Sequence, residues 1–191
     1  LAIIFVSGIN LFLFAISLLA VCSLTLILVF FVPKFEYIRI RLMSFLDTSS
    51  GNNYQADKAS DAISSGGFFG KGIGEGTLNS RIPEAHTDYI ISVIAEEFGV
   101  IILIAIILLY LIFSYKVLKK INFTNNNNYK LILVGSISII LLQTFIHIGV
   151  NIRMLPTTGM TMPFISYGGS SIVGTSILTG IILNLTKRKL N

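Results

Sequence analysis

The sequence predicts an all-α protein, a polytopic bundle of membrane-spanning helices. The first observation is composition: of 191 residues, 53% are hydrophobic and 12% are charged, whereas a soluble domain carries about 25% charged residues. The second is run length, because the apolar residues form stretches of about 20, enough for a helix to cross a hydrocarbon core of about 30 Å. Together they exclude a water-soluble domain and predict one membrane domain over 1–191.

Four apolar runs are long enough to span the bilayer. Three of them, residues 11–32, 90–113 and 131–150, are almost purely apolar. The fourth, 164–185, is apolar but rich in Gly, Ser and Thr. Residues 1–8 are apolar but too short to cross, so they are expected to be the tail of a partial helix. Because the chain starts with Leu rather than Met, it is expected to be a fragment.

Basic residues predict which connections face the cytoplasm. The connection 114–130 holds four lysines and no acid, and the tail holds Lys-Arg-Lys at 187–189. Because cytoplasmic loops carry the excess of Lys and Arg, both segments and the C-terminus are assigned to the cytoplasm. The long loop 33–87 and the short connection 151–163 are then extracytoplasmic. This topology accounts for the net charge of +5 without nucleic acid, which is not expected as a partner.

Two predicted helices carry polar residues four positions apart, so each set lies on one face. The two sets are Asp88, Ser92 and Glu96, and Gln143, His147 and Asn151. Polar groups in membrane helices either join helices by hydrogen bonds or line a functional cavity. Packing is the simpler explanation for the neutral groups, whereas a role in function and a structural ion pair explain the acids about equally well. A lone His147 does not predict a metal site.

The long loop contains a glycine-rich segment at 64–79, with GKGIGEG at 70–76. Glycine backbone can approach an anion closely, and Lys71 can neutralise a phosphate. No strand precedes the segment and no GK[ST] follows, so the nucleotide-binding pattern is incomplete. A flexible loop of irregular turns is the alternative.

A carboxylate is predicted where this loop meets the next helix. Residues 83–88 read PEAHTD, in which Pro83 suits a first helical turn and Glu84 suits the positive end of the helix dipole. Asp88 then falls at the membrane interface, where a carboxylate is suited to act as a general base on a lipid-linked substrate. Helix capping and solvation are the alternative explanation.

The connection before the last span is rich in residues that disfavour helix. Residues 154–171 read MLPTTGMTMPFISYGGSS. Non-helical backbone at membrane depth is tolerated where it is buried or lines a cavity, so a re-entrant or cavity-lining turn is predicted. Arg153 directly precedes it and is suited either to hold a phosphate or to extend to the membrane interface.

These segments together resemble the SEDS family, which comprises FtsW, RodA and SpoVE. Residues 83–99, PEAHTDYIISVIAEEFG, resemble the hallmark loop and helix motif, and 155–171, LPTTGMTMPFISYGGSS, resemble the C-terminal signature. FFGKGIGEG at 68–76, SFLD at 44–47 and Tyr54-Gln55 occur in the expected order. Ala85 in PEAHTD and the sequence PTTGMTMPF at 156–164 resemble the FtsW branch more than the RodA branch.

The resemblance implies the C-terminal half of a ten-helix bundle in the bacterial inner membrane. It implies a peptidoglycan glycosyltransferase that polymerises lipid II, an undecaprenyl-pyrophosphate-linked disaccharide peptide, at the division septum. The implied partners are a class B penicillin-binding protein, other divisome proteins and membrane lipid. Family members are about twice as long, so the first five or six helices are expected to be missing here.

The resemblance also implies residue roles. Asp88 matches the presumed catalytic base of an inverting glycosyl transfer, and Glu84 and His86 are expected to orient the loop or the substrate. Lys71 and Arg153 are candidates to stabilise the leaving diphosphate. A divalent cation is a further candidate, and no cofactor is assigned. The residues expected to shape the cavity are Ser166, Tyr167, Gly168, Gly169 and Ser170.

Two other functions fit the same sequence features. Polar stripes and a cavity also suit a lipid II flippase, and the short chain also suits a non-catalytic, truncated divisome scaffold. Asp88 separates an enzyme from a transporter, because only the enzyme needs this carboxylate as a base.

Overall fold

The computed structural model describes residues 3, 8, 10–46, 54–124 and 126–187, and all regular elements there are helical. A 3-10 turn at Pro33–Phe35 follows the first helix. The helices are α1 (Leu11–Phe31), α2 (Glu36–Leu46), α3 (Tyr54–Gly66), α4 (Leu78–Arg81), α5 (Ala85–Asp88), α6 (Ile90–Asn122), α7 (Asn127–Asn151) and α8 (Gly169–Thr186). Outside the described residues lie most of the predicted partial helix at 1–8, Asp47 of SFLD, and Arg188 and Lys189 of the basic tail.

Four helices, α1, α6, α7 and α8, are long and apolar enough to cross a membrane. The predicted all-α bundle with four long apolar helices is therefore confirmed. The side chains of α1 are exposed along most of its length, including Phe12 and Leu19. Such exposure of apolar surface suits a lipid environment rather than water, because water penalises it.

Three helices differ from the predicted runs by more than one residue. Helix α7 is Asn127–Asn151 rather than 131–150. Helix α6 continues past residue 113 to Asn122, because Val117 and Ile121 still pack against Leu133 of α7. The lysines of the predicted cytoplasmic connection therefore lie mostly on the last turns of α6. Helix α8 begins at Gly169 rather than at residue 164, so the preceding non-helical segment is longer than the hydropathy suggested.

Helix α6 is broken at Gly99, and the glycine-rich segment fills the break. Gly99 has φ 81° and ψ 174°, so the helical ladder is interrupted there. Carbonyl oxygens freed by the break accept hydrogen bonds from Lys71 N and Gly72 N at 2.9 and 3.0 Å. On the other side, Val100 N donates to Gly67 O at 3.0 Å. The segment thus satisfies backbone groups that cannot remain unpaired in an apolar environment.

Close approach explains why this segment is made of glycine. A Cβ atom on Gly99 would lie 2.2 Å from Phe68 O, and one on Gly70 would lie 2.2 Å from Glu97 O. Gly66 at the end of α3 is equally tight, since its Cβ would lie 2.0 Å from Ala95 O. The glycines therefore let α3 and the following turn pack directly on the backbone of α6.

Candidate active site

Asp88 lies at the junction of the α5 turn and α6. Its half-buried carboxylate lines a small cavity of about 80 Å³ together with Arg41, Gln55 and the segment 157–160. A Cβ atom on Gly159 would lie 3.6 Å from Asp88 Oδ2, so glycine backbone borders the carboxylate closely. The α5 turn thus presents one acid to a polar recess.

The surroundings of Asp88 favour its neutral form. Burial raises the pKa of this carboxyl group above its ordinary value of 3.8, because desolvation disfavours the charged form. The nearby charge of Glu84 raises the pKa further, whereas the positive charge of Arg41 lowers it. A carboxylate with a raised pKa is a stronger proton acceptor, which is the property that a general base requires.

The backbone around Asp88 is held by hydrogen bonds from two other parts of the chain. Three consecutive carbonyl oxygens each accept one bond: His86 O from Tyr167 N at 3.2 Å, Thr87 O from Ser166 Oγ at 2.7 Å, and Asp88 O from Asn151 Nδ2 at 3.1 Å. Ser166 is buried and also accepts a bond from Met162 N at 2.8 Å. The α5 turn is therefore positioned by α7 and by the segment before α8.

The polar stripe on α7 holds this same segment. Fully buried Asn151 accepts bonds from Ser92 N and Oγ at 3.2 and 2.7 Å. His147 Nδ1 lies 2.7 Å from Met160 O, and because a carbonyl only accepts, Nδ1 carries the proton. Gln143 Nε2 donates to Thr161 O at 3.0 Å. The neutral polar residues of the two predicted stripes therefore join helices and loops around the site.

Strained backbone is concentrated beside the site. Among the described residues, three non-glycine residues have a left-handed conformation: Glu84 (φ 66°), Arg153 (φ 59°) and Phe164 (φ 67°). Each costs about 1–3 kcal/mol and persists only when the surrounding contacts enforce it. Glu84 precedes α5, Arg153 follows α7, and Phe164 lies in the segment that contacts α5. All three thus occur where the chain reverses around Asp88.

Several other predicted site residues lie near Asp88. Glu84 Oε2 accepts a hydrogen bond from Thr87 Oγ1 at 2.9 Å, which fixes its carboxylate to the same turn. The rings of His86 and Tyr167 are 5.7 Å apart and tilted by 58°. Tyr167 itself is largely exposed, so its ring is accessible from outside the chain.

The remaining predicted cavity residues lie at the N-terminus of α8. Gly168 is its N-cap, and a Cβ atom there would lie 3.1 Å from Thr161 Cγ2. Gly169 and Ser170 form the first turn and are exposed. None of the three is among the described residues that line the cavity beside Asp88.

Lys71 lies away from Asp88. Its Nζ atom is 2.7 Å from Oε1 of Glu96, whose side chain is 2% exposed. Glu96 also accepts bonds from Thr77 N and Leu78 N at 3.1 and 3.0 Å. This ion pair lines a separate cavity of about 220 Å³ that shares no lining residue with the Asp88 recess. The structure therefore separates Lys71 from the other predicted site residues.

Arg153 lies beside the Asp88 recess, with a second arginine that the motifs did not reveal. It forms an ion pair with Asp57 of α3 and lines a cavity of about 330 Å³. Arg41 of α2 lines that cavity as well as the Asp88 recess. The sequence held no specific signal for Arg41, because it is one of six lysine and arginine residues in the predicted loop 33–87.

No group of three or more His, Cys, Asp or Glu side chains suited to a metal ion occurs in the described ranges. Glu84 and Asp88 provide two carboxylates on one turn, but the first is already bonded to Thr87. The donor set around Asp88 consists mainly of arginine, hydroxyl and backbone groups. Such a set suits a polar or anionic organic ligand better than a divalent cation.

The fold and the site define a class, a multi-pass membrane protein with a polar, acid-containing recess at one end of its helix bundle. All of residues 1–191 match the FtsW, RodA and SpoVE family, described as cell cycle protein. The chain therefore belongs to this family.

Curated relatives agree with this assignment. The chain is 37% identical over 155 residues to the probable peptidoglycan glycosyltransferase FtsW of Caulobacter vibrioides, which covers 81% of this chain and 40% of the relative. It is 36% identical to the FtsW of Enterococcus hirae, over 91% of this chain and 45% of the relative. It is also 36% identical to the peptidoglycan glycosyltransferase RodA of Mycobacterium tuberculosis, over 80% and 33%. The chain thus spans less than half the length of these relatives.

A solved structure shares the fold. A chain from a peptidoglycan synthase complex that coordinates polymerization and crosslinking superposes with a TM-score of 0.72 and 25% sequence identity. The match covers 100% of this chain and 53% of that one. The helical arrangement described above is therefore one already seen in a protein of a wall-synthesising assembly.

Proposed function

We propose that this chain forms part of a peptidoglycan glycosyltransferase that polymerises lipid II into glycan strands. The observation that carries the proposal is Asp88, a half-buried carboxylate with a raised pKa on a turn held at three successive carbonyls. A fixed base of this kind is suited to activate a sugar hydroxyl. The names of the relatives support the same reaction class.

The proposed reaction is a single displacement at the anomeric carbon of the donor sugar. The 4-hydroxyl oxygen of the acceptor sugar forms the new bond to that carbon, while the bond between the carbon and the diphosphate oxygen breaks. The hydroxyl proton passes to the Asp88 carboxylate, and the electron pair of the broken bond leaves on undecaprenyl diphosphate. Because attack and departure occur on opposite faces, the configuration is inverted.

The cellular setting is proposed from the names of the relatives, the structural neighbour and the positions of the basic residues. The FtsW names among the relatives support a role in cell division at the septum. The synthase complex that contains the structural neighbour supports a class B penicillin-binding protein as partner. The basic ends of α6 and of the chain support a cytoplasmic C-terminus in the bacterial inner membrane.

The test is lipid II polymerisation by the intact membrane protein, co-expressed with its penicillin-binding partner, with Asp88→Asn as the variant. The amide keeps the shape of the carboxyl but is not a base, so glycan product should fall by about 10²–10⁴-fold. Asp61→Asn is the matched control, because Asp61 is exposed and pairs only with neighbouring Lys58 among the described residues. Undiminished polymer from Asp88→Asn at equal expression would remove Asp88 from the mechanism. Absence of polymer from the wild-type protein as well would contradict the glycosyltransferase proposal and favour a flippase or a scaffold.

A further inference from the structure

Arg41 connects two adjoining cavities. Its Nη1 atom donates a hydrogen bond to Thr157 O at 3.2 Å, which joins α2 to the segment that follows α7. Arg41, Gln55 and Thr157 line both the small recess that contains Asp88 and the larger cavity that contains Arg153. The volumes are about 80 and 330 Å³. A ligand that fills both would therefore place one end beside Asp88 and the other beside two guanidinium groups.

The two arginines differ in how much of their charge is already neutralised. Arg153 forms an ion pair with Asp57. In the ranges 10–46, 54–124 and 126–187, Arg41 has no carboxylate within 4.0 Å and makes a single hydrogen bond. A guanidinium carries five N–H donors, so most of those on Arg41 are available to a ligand. Among the described residues, the larger cavity consequently has a cationic lining in which Arg41 has no ion-pair partner.

The cavity near Lys71 is the internal contrast. It is lined by Arg81 and by two lysines, Lys58 and Lys71. These two pair with Asp61 at 3.5 Å and with Glu96 at 2.7 Å. Since the acids belong to the same cavity, an incoming anion would have to displace them. Arg81 has no ion pair among the described residues, but the two acids offset most of the positive charge of this cavity, whereas no described acid lines the larger cavity beside its two arginines. The cavity near Lys71 is therefore less suited to a phosphate ligand than the larger cavity.

We propose that the larger cavity binds the diphosphate of the lipid-linked donor, with Arg41 as its main ligand and Arg153 as the second. Guanidinium groups bind phosphate oxygens through paired hydrogen bonds. The assignment rests on the proposed glycosyl transfer for its reaction. It goes beyond that proposal in naming the site of the leaving group and in giving Arg41 a direct part in it.

The geometry of the displacement supports this assignment. The base and the leaving group must lie on opposite sides of the anomeric carbon, so they need neighbouring but separate compartments. Asp88 and the arginine cavity meet this condition, because the compartments adjoin through Arg41 and only the smaller one is lined by Asp88. Negative charge develops on the departing diphosphate oxygen, and fixed cations there stabilise the transition state.

The experiment measures binding of a short-chain prenyl diphosphate, and of the prenyl alcohol of the same length, to the intact protein purified with its partner. Arg41→Gln keeps a donor for Thr157 O but removes the charge. It should weaken diphosphate binding at least tenfold and leave alcohol binding unchanged. Arg39→Gln is the matched control, with the same charge change on the same helix but outside both cavities, and should stay within twofold.

Further variants separate this inference from the proposed function. Arg41→Lys should restore part of the diphosphate affinity, which a folding defect would not predict. Asp88→Asn should keep diphosphate binding while losing polymerisation. If it binds and still polymerises, the proposed base is wrong but the diphosphate site stands. If Arg41→Gln and Arg39→Gln bind the diphosphate equally well, the inference is overturned.

Discussion

Two regions of this protein combine irregular backbone with basic side chains, and they use the cations differently. In the glycine-rich segment, residues 64–79, Lys71 is bound to the buried carboxylate of Glu96. In the region around Asp88, Arg41 contributes one hydrogen bond to a backbone carbonyl and otherwise faces cavities. The first region closes a break in α6, whereas the second surrounds an acid at the end of the bundle.

The difference shows what makes a cation available to a ligand. Glycine and lysine in a loop resemble an anion site in sequence, but here the glycines allow close packing and the lysine neutralises a buried acid. Burying Glu96 alone would be costly, so its cation cannot leave without a penalty. Among the described residues, Arg41 forms no ion pair with a buried acid. The following predictions test this contrast.

The largest expected effect is on folding, through Gly99→Ala. The new Cβ atom would lie 2.2 Å from Phe68 O, on a residue with φ 81°. Because backbone atoms on both sides must move, we expect a loss of about 3 kcal/mol or more in stability, measured as thermal unfolding of the purified protein in detergent.

Gly174→Ala in α8 is the control for that experiment. A Cβ atom at Gly174 meets nothing within 4 Å, and alanine is the better helix former by about 1 kcal/mol. It should leave the melting temperature unchanged or raise it. Equal loss in both variants would mean that the break in α6 is not a packing requirement.

The next effect is expected from Glu96→Gln. The amide is nearly isosteric, but it leaves the charge of Lys71 uncompensated and weakens the bonds from Thr77 and Leu78. Loss of a buried charged acceptor should cost about 1–3 kcal/mol in the free energy of unfolding. Exposed Glu75→Gln should change it by less than about 0.5 kcal/mol. If Glu96→Gln left the free energy of unfolding unchanged, Lys71 would not be needed to compensate Glu96. Lys71 would then be as available to a ligand as Arg41.

The smallest effect concerns the pH dependence of polymerisation. In the proposed mechanism Asp88 accepts a proton only when deprotonated, so activity should fall as the pH drops through its raised pKa. Glu84→Gln removes a repelling charge and should move this acid limb to lower pH, whereas Arg41→Gln removes an attracting charge and should move it to higher pH. Shifts in the same direction for both variants would contradict the assigned electrostatics.

The same raised pKa predicts the sign of its stability effect. Between the pKa values of the unfolded and folded chain, the folded protein holds the Asp88 proton more tightly than the unfolded chain does. Stability therefore decreases as the pH rises through this window, and Asp88→Asn should flatten that decrease. Unfolding of the wild type and the variant across acidic pH measures it.

Hydropathy was sufficient to predict the fold class but not every helix boundary. The runs of apolar residues predicted four long helices. In lipid, polar backbone groups must be hydrogen-bonded within the protein, and an α-helix does this within a single segment. Hydropathy missed the extension of α6 to Asn122 because lysines on its last turns mask the buried positions Val117 and Ile121. The break at Gly99 was missed as well, since a single glycine in an apolar run does not show what packs against it.

The candidate site was partly predictable for a similar reason. Asp88 was predicted because its motif is contiguous and lies at a predicted boundary, and its role as a base stays a prediction. The three bonds to carbonyls 86–88 were not predicted, since their donors come from Asn151 and from Ser166 and Tyr167, far along the chain. Arg41 has no motif of its own and reaches Asp88 only through the packing of α2 against the segment after α7.

The sequence by itself determined that this is a membrane helix bundle with an acid at a helix junction, because hydropathy and local motifs depend on neighbours along the chain. The tertiary structure alone decided which cation accompanies that acid. Lys71 is close to Asp88 in sequence but is paired with Glu96, whereas Arg41 is distant in sequence and lines the same recess. Charge pairing follows distance in space, and in a helix bundle that distance is set by which helices pack together.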